Sequence, residues 1–133
     1  MTTTADLGLP EIASQQSQPE VTHNEALLLL QALLNGAASI GDNTPPGSPS
    51  AGDIYVLGTS PTGAWAGRAN CIAIYSGTAW DFIPGEDDAG TPITMGARQA
   101  GMRAWVRDVR ALYIWTDTGA SPADYAWVDY ATL

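Results

Sequence analysis

Lysine is missing altogether from this chain of 133 residues, and five arginines stand against fourteen aspartates and glutamates, a formal net charge of −9. That balance makes DNA, RNA and anionic membranes poor partners, because binding them depends on neutralising phosphates with lysine and arginine. Cysteine is nearly absent: the single Cys71 cannot form an internal disulfide. Within "NCIAIY" (Asn70 to Tyr75) it reads as a small apolar strand residue, with a reactive thiol as the alternative. No apolar run reaches the length of a membrane span. The opening "MTTTADLGLPEIASQQSQPE" has neither the basic nor the apolar region of a secretory signal, so the chain is expected to be made in a cytoplasm and to stay soluble.

What is present is 45% hydrophobic and only 14% charged, with 14 glycines, 9 prolines and 5 tryptophans. This suits a loop-rich globular protein with one modest core rather than a disordered chain. A low-charge surface rich in alanine, glycine, threonine and serine is natural where sister subunits cover it, so a homo-oligomer is expected.

Four segments follow from the punctuation of the chain. Residues 1–20 are polar, interrupted by Pro10 and Pro19, and read as an extended attachment arm. Residues 21–40 carry the one clear helix, from Thr22 to about Ala38, with Gly36 and Gly41 as stop signals. Residues 41–53, "GDNTPPGSPSAGD", form a Pro, Gly and Ser linker. Residues 54–133 hold short strand-like runs separated by turn residues: "DIYVLG", "NCIAIY", "AWDFI", "MRAWVRD", "ALYIWT" and "YAWVDY". "IAIYSGTAWDFI" and "RAWVRDVRALYIW" read as hairpins, and Pro84 to Gly101 as a long loop. The fold class is therefore α+β, mainly β: an arm and one apolar helix followed by a small antiparallel β domain.

On a helical wheel Asn24, Gln31 and Asn35 share one narrow stripe, while Leu27, Leu29, Leu30, Leu33, Leu34 and Ala37 spread over most of the remainder. Such a helix needs cover on more than one side. The β region supplies one side, and the same helix of a neighbouring subunit is the candidate for the other.

The polar cluster "THNE" before the leucines has the form of a capping box, with Thr22 as cap and Glu25 reaching back. His23 lacks a second histidine or cysteine at ligand spacing, so no metal or catalytic role is assigned to it. "GEDDAG" (Gly85 to Gly90) lacks the alternating acids and distant glutamate of a calcium loop and reads as a solvated acidic turn. No nucleophile elbow, phosphate loop or dinucleotide fingerprint is present. No catalytic residue and no cofactor is expected.

Strand alternation puts Met102, Ala104 and Val106 on one face and Arg103, Trp105 and Arg107 on the other; Leu112 and Ile114 match the first, Tyr113 and Trp115 the second. Arg103, Trp105, Tyr113 and Trp115 are thus candidates for a carbohydrate-contacting surface, since pyranose faces stack on flat aromatics while arginine bonds hydroxyls. The competing reading is core or subunit interface, where the same residue types are enriched.

Together "LPEIASQQSQPEVTHNEALLLLQALL", "PPGSPSAGDIYVLG", "TGAWAG", "IAIYSGTAWDF" and "RAWVRDVRALYIW" resemble an uncharacterised domain family of tailed phages, prophages and gene transfer agents of alphaproteobacteria. The resemblance runs from about Leu9 to Trp115, most specifically in "VTHNEAL" and "TGAWAG". It implies a virion protein of the head-spike or tail-fibre type, without enzyme activity. The expected function is a structural subunit of a particle appendage, an oligomer attaching a spike or fibre to a capsid vertex or fibre subunit. Two alternatives stay open: a module binding host surface polysaccharide, and a polysaccharide-cleaving enzyme.

Overall fold

A computed structural model describes residues 2–133. Over these residues the fold is α+β and mainly β, with one α-helix and three small sheets. Helix α1 spans Pro19–Leu34, one turn earlier than the capping box suggests. Pro19 takes the first helical position, where its fixed φ is already helical and its missing N–H leaves no orphan donor. Gln18 precedes it in the left-handed region at φ 53° without a side-chain cap, and Glu20 complements the dipole in the first turn. Thr22 is therefore not the cap. It is buried inside the helix, and its Oγ1 accepts a hydrogen bond from Gln16 Nε2 at 2.5 Å. Glu25 lies on an exposed side of the same helix. The helix also stops before Ala38, because Ala37 bonds instead to the second sheet: its N–H donates to Trp105 O and its carbonyl accepts from Arg107 N, both at 2.8 Å.

The first large sheet orders β3 (Ile40–Asp42), β4 (Ile54–Leu57), β5 (Ile72–Tyr75) and β6 (Trp80–Ile83). The β3–β4 pairing is parallel and the other two antiparallel. Ile54, Val56, Ile72, Ile74 and Ile83 face Leu29 and Ala32 of α1, while Leu57, Cys71, Ala73 and Phe82 face the opposite way and pack around Trp65. Burial on both faces explains why these strands are apolar without alternation. Trp65 is carried by a short 3-10 turn, Gly63–Trp65, within "TGAWAG", and is fully buried between Tyr55 and Trp80 at ring separations of 5.5 and 5.2 Å.

The second sheet is antiparallel, β7 (Arg103–Val106), β8 (Ala111–Asp117) and β9 (Tyr125–Asp129). Its inner face joins the same core through Ala104, Val106 and Trp115. The predicted linker does not separate two bodies: β3 belongs to the first sheet, and α1 packs on β5, β6 and β7.

Nor is the N-terminal segment an extended arm. It folds back as a two-stranded ribbon, β1 (Thr2–Thr3) with β2 (Pro10–Glu11), and docks on the 84–101 loop. Gly85 N donates to Leu7 O at 2.8 Å, Thr3 N to Asp88 Oδ1 at 2.7 Å and Gln99 Nε2 to Asp6 O at 2.7 Å, while Asp6 and Arg98 pair at 2.9 Å. The acidic turn is closed by its own Asp87, whose Oδ1 accepts from Ala89 and Thr91 N–H at 2.9 Å. Arm and loop thus supply each other's backbone partners, which neither holds alone.

Candidate functional site

The six apolar residues assigned to one interface divide between two environments. Leu29 is buried in the core, Leu33 packs against that core, and Ala37 has left the helix and is buried beside the second sheet. Leu27, Leu30 and Leu34 face outward and remain 49%, 38% and 86% exposed. The sheets cover one side of α1, so the helix is not apolar and partnerless all round. What remains is a seam at the i, i+3, i+7 spacing that lets one helix pack along another. Exposed His23, Asn24, Gln31 and Asn35 flank it with polar groups.

Trp105, half exposed, lies beside the C-terminal end of this helix. A Cβ built on Gly36 would come within 3.1 Å of Trp105 Cδ1 and 3.0 Å of Arg107 Nε. The glycine lets the chain leaving α1 pass close against β7.

The proposed aromatic face does not exist as one surface. In the β7–β8 hairpin Val106 lies opposite Ala111, Trp105 opposite Leu112 and Ala104 opposite Tyr113. Cross-strand partners share a face, so odd-numbered residues of β7 go with even-numbered residues of β8. Reading the two strands without the parity of the 107–110 turn reverses β8, because a one-residue offset moves every side chain to the other face. Arg103 and Trp105 therefore share the outer face with Leu112 and Ile114, joined by Val128 of β9 opposite Ile114. Tyr113 and Trp115 turn inward. The Trp115 ring meets Trp127 at 5.8 Å, and its Nε1 donates to Gly96 O at 2.8 Å.

A second feature was not anticipated from the sequence. A cavity of about 230 Å³ lies along the outer strand β6, between α1 and the N-terminal ribbon. Asp81 and Glu25 line it on the helix side, and Trp80 and Arg68 on the other. The Arg68 guanidinium sits 4.6 Å over the Phe82 ring and 3.5 Å from Glu86 Oε1. Burial pushes the Asp81 carboxyl above its ordinary pKa, with Arg68 opposing. The lining residues are scattered along the chain from Thr3 to Glu86, so no local motif signals them.

Burial also pushes the Cys71 thiol up to about 12, with Arg68 again opposing; Cys71 lies just before β5 rather than in a strand, and is packed in the core rather than poised as a nucleophile. Among the described residues no group of three or more histidine, cysteine, aspartate or glutamate side chains could hold a metal ion. No helix among them is long and apolar enough to cross a membrane.

Residues 23–120, which include most of α1, the whole first sheet and the β7–β8 hairpin, match the family described as "Protein of unknown function (DUF2793)". The chain belongs to the DUF2793 family. No curated protein and no solved structure matches it. The DUF2793 match begins within α1 and runs through both hairpins, so the leucine seam, Trp105 and the β6 cavity lie mainly inside the family region, while β9 and the N-terminal ribbon lie outside it.

Proposed function

We propose that this DUF2793 chain is a non-enzymatic structural subunit that assembles with copies of itself through the outer face of α1. The observation that carries this reading is the Leu27, Leu30 and Leu34 seam, which the other described residues leave open. A second copy is the occupant that best fits. The seam runs along a single helix, so two or more copies can pack it against itself under rotational symmetry. Asn24, Gln31 and Asn35 beside it are uncharged, and the acid in line with it, Glu20, stands in the first turn beyond Leu27, so like copies meet along the leucines without facing carboxylates despite the net charge of −9. Trp105, half exposed beside Gly36 just after the helix, is of the residue type that anchors interfaces.

The resemblance to phage and gene-transfer-agent proteins supports the setting: an appendage of a virion, a head spike or fibre base, joined to a capsid vertex or fibre subunit. Since the N-terminal ribbon is held by its own 84–101 loop, attachment through it would use the ribbon's outer surface rather than a free strand.

The test is the mass in solution by multi-angle light scattering over a range of concentrations. Wild-type chain is expected to exceed the monomer mass, and Leu30→Asp with Leu34→Asp to return it to monomer while circular dichroism keeps the helix. A monomeric wild type, or an oligomer indifferent to both substitutions, overturns the proposal.

A further inference from the structure

We infer that the cavity along β6 is a binding site for a neutral saccharide, a hexopyranose unit lying across the edge of the strand. This site is separate from the helix seam and stands whether or not the chain assembles.

Strand β6 is the outer strand of its sheet, and its alternation sends Trp80 and Phe82 to one side and Asp81 to the other. The cavity wraps over that edge and is bounded by both sides at once. Trp80 is half-buried and held rigidly by three rings, Tyr75 at 5.0 Å, Trp65 at 5.2 Å and Tyr55 at 5.9 Å. A fixed, partly open indole is the platform on which the C–H face of a pyranose stacks, at little cost in side-chain entropy.

Around it stand groups of both hydrogen-bonding types. Arg68 is only 14% exposed and is fixed over Phe82, yet its contacts to Gly85 O and Glu86 Oε1 are long, both 3.5 Å, leaving donor capacity directed at the cavity. The Asp81 carboxylate makes no hydrogen bond or ion pair among the described residues, although burial already penalises its charge. A half-buried carboxylate that opens to the cavity without a protein partner can accept from vicinal sugar hydroxyls, which supply two donors at once. Glu25 adds a second acceptor from α1, and Thr3 a hydroxyl from the N-terminal ribbon.

The volume, about 230 Å³, lies just below the usual range for drug-sized ligands, roughly 300–1,000 Å³, and suits one ring rather than a longer enclosed chain. The charge selects further. Three carboxylates, Glu25, Asp81 and Glu86, face one guanidinium, so uronic or sialic acids are repelled and uncharged sugars are not.

The experiment titrates the full chain with methyl glycosides of glucose, galactose and mannose, following tryptophan fluorescence and heat. Glucuronate and glucosamine serve as anionic and cationic counterparts. At least one neutral glycoside is expected to bind, with glucuronate at least tenfold weaker. Asp81→Asn is expected to lose tenfold or more in affinity with an unchanged circular dichroism spectrum. Arg68→Gln should also weaken binding, and Val109→Ala, an exposed turn residue outside both the cavity lining and the helix seam, should leave it unchanged. Failure of all three neutral glycosides to bind overturns the inference, as does undiminished binding by folded Asp81→Asn. Binding of glucosamine alone would make the cavity an ammonium site and equally overturn it.

Discussion

Replacing Trp115 and Trp105 by alanine, one at a time, separates the two faces of the second sheet. Trp115 is 2% exposed, contacts the Trp127 ring at 5.8 Å and donates to Gly96 O at 2.8 Å. Truncating a buried aromatic to alanine costs about 3–5 kcal/mol, part of it the cavity left behind. Trp105 is 49% exposed, so its truncation removes about half of a full side-chain burial, on the order of 1–1.5 kcal/mol. For 133 residues each kcal/mol moves the melting midpoint by about 4 °C. Trp115→Ala should thus lower Tm by roughly 12–20 °C and Trp105→Ala by roughly 4–6 °C. Because assembly adds to apparent stability by mass action, both variants are measured in the Leu30→Asp, Leu34→Asp background, both substitutions being on exposed residues. Thermal melts followed by far-ultraviolet circular dichroism give the answer. Equal shifts, or a larger one for Trp105, would refute the register in which Ala104 faces Tyr113.

Cys71, with its thiol pushed up to about 12 by burial, should resist iodoacetamide at pH 8 in the native chain and react fully once unfolded; rapid native labelling would contradict its packing. Asp81→Asn should stabilise the chain near neutral pH. The folded Asp81 carboxyl holds a proton more tightly than the unfolded one, so stability is greatest below the ordinary value near 3.8 and falls as pH rises through the raised folded value. The stability curves of wild type and the Asp81→Asn variant should converge in acid; a gap independent of pH would exclude titration of Asp81 as the cause. Gly8→Ala should free the N-terminal ribbon, since Gly8 has φ +65° and a Cβ there would stand 2.8 Å from Glu86 N and O. Hydrogen exchange is expected to rise across residues 2–11 while β4 and β5 stay protected, and an unchanged ribbon would count against its docking.

Much of the secondary structure was legible locally. The strand runs and both short hairpins could be read because Ile, Val, Tyr and Trp clusters alternate with Ser-Gly-Thr and similar turn residues, a signal contained within a few positions. The start of α1 was also a local matter, but two local signals competed: Thr22 with Glu25 formed a capping box on paper, and Pro19 with Glu20 one turn earlier prevailed. The arm was misread for a different reason. Its hydrogen-bond partners Gly85, Asp88 and Gln99 lie in a distant part of the chain, and nothing within residues 1–20 shows that they exist.

Composition and pattern alone determined an acidic, lysine-free, mainly β chain with one leucine-rich helix, because charge balance and hydrophobic periodicity are properties of the chain itself. Which leucines meet solvent, which tryptophans meet the core, and that Glu25, Arg68 and Asp81 surround one cavity were decided only by the tertiary structure. Each depends on strand parity across a turn, or on the packing of segments far apart in the chain, and neither is recorded in the local order of residues.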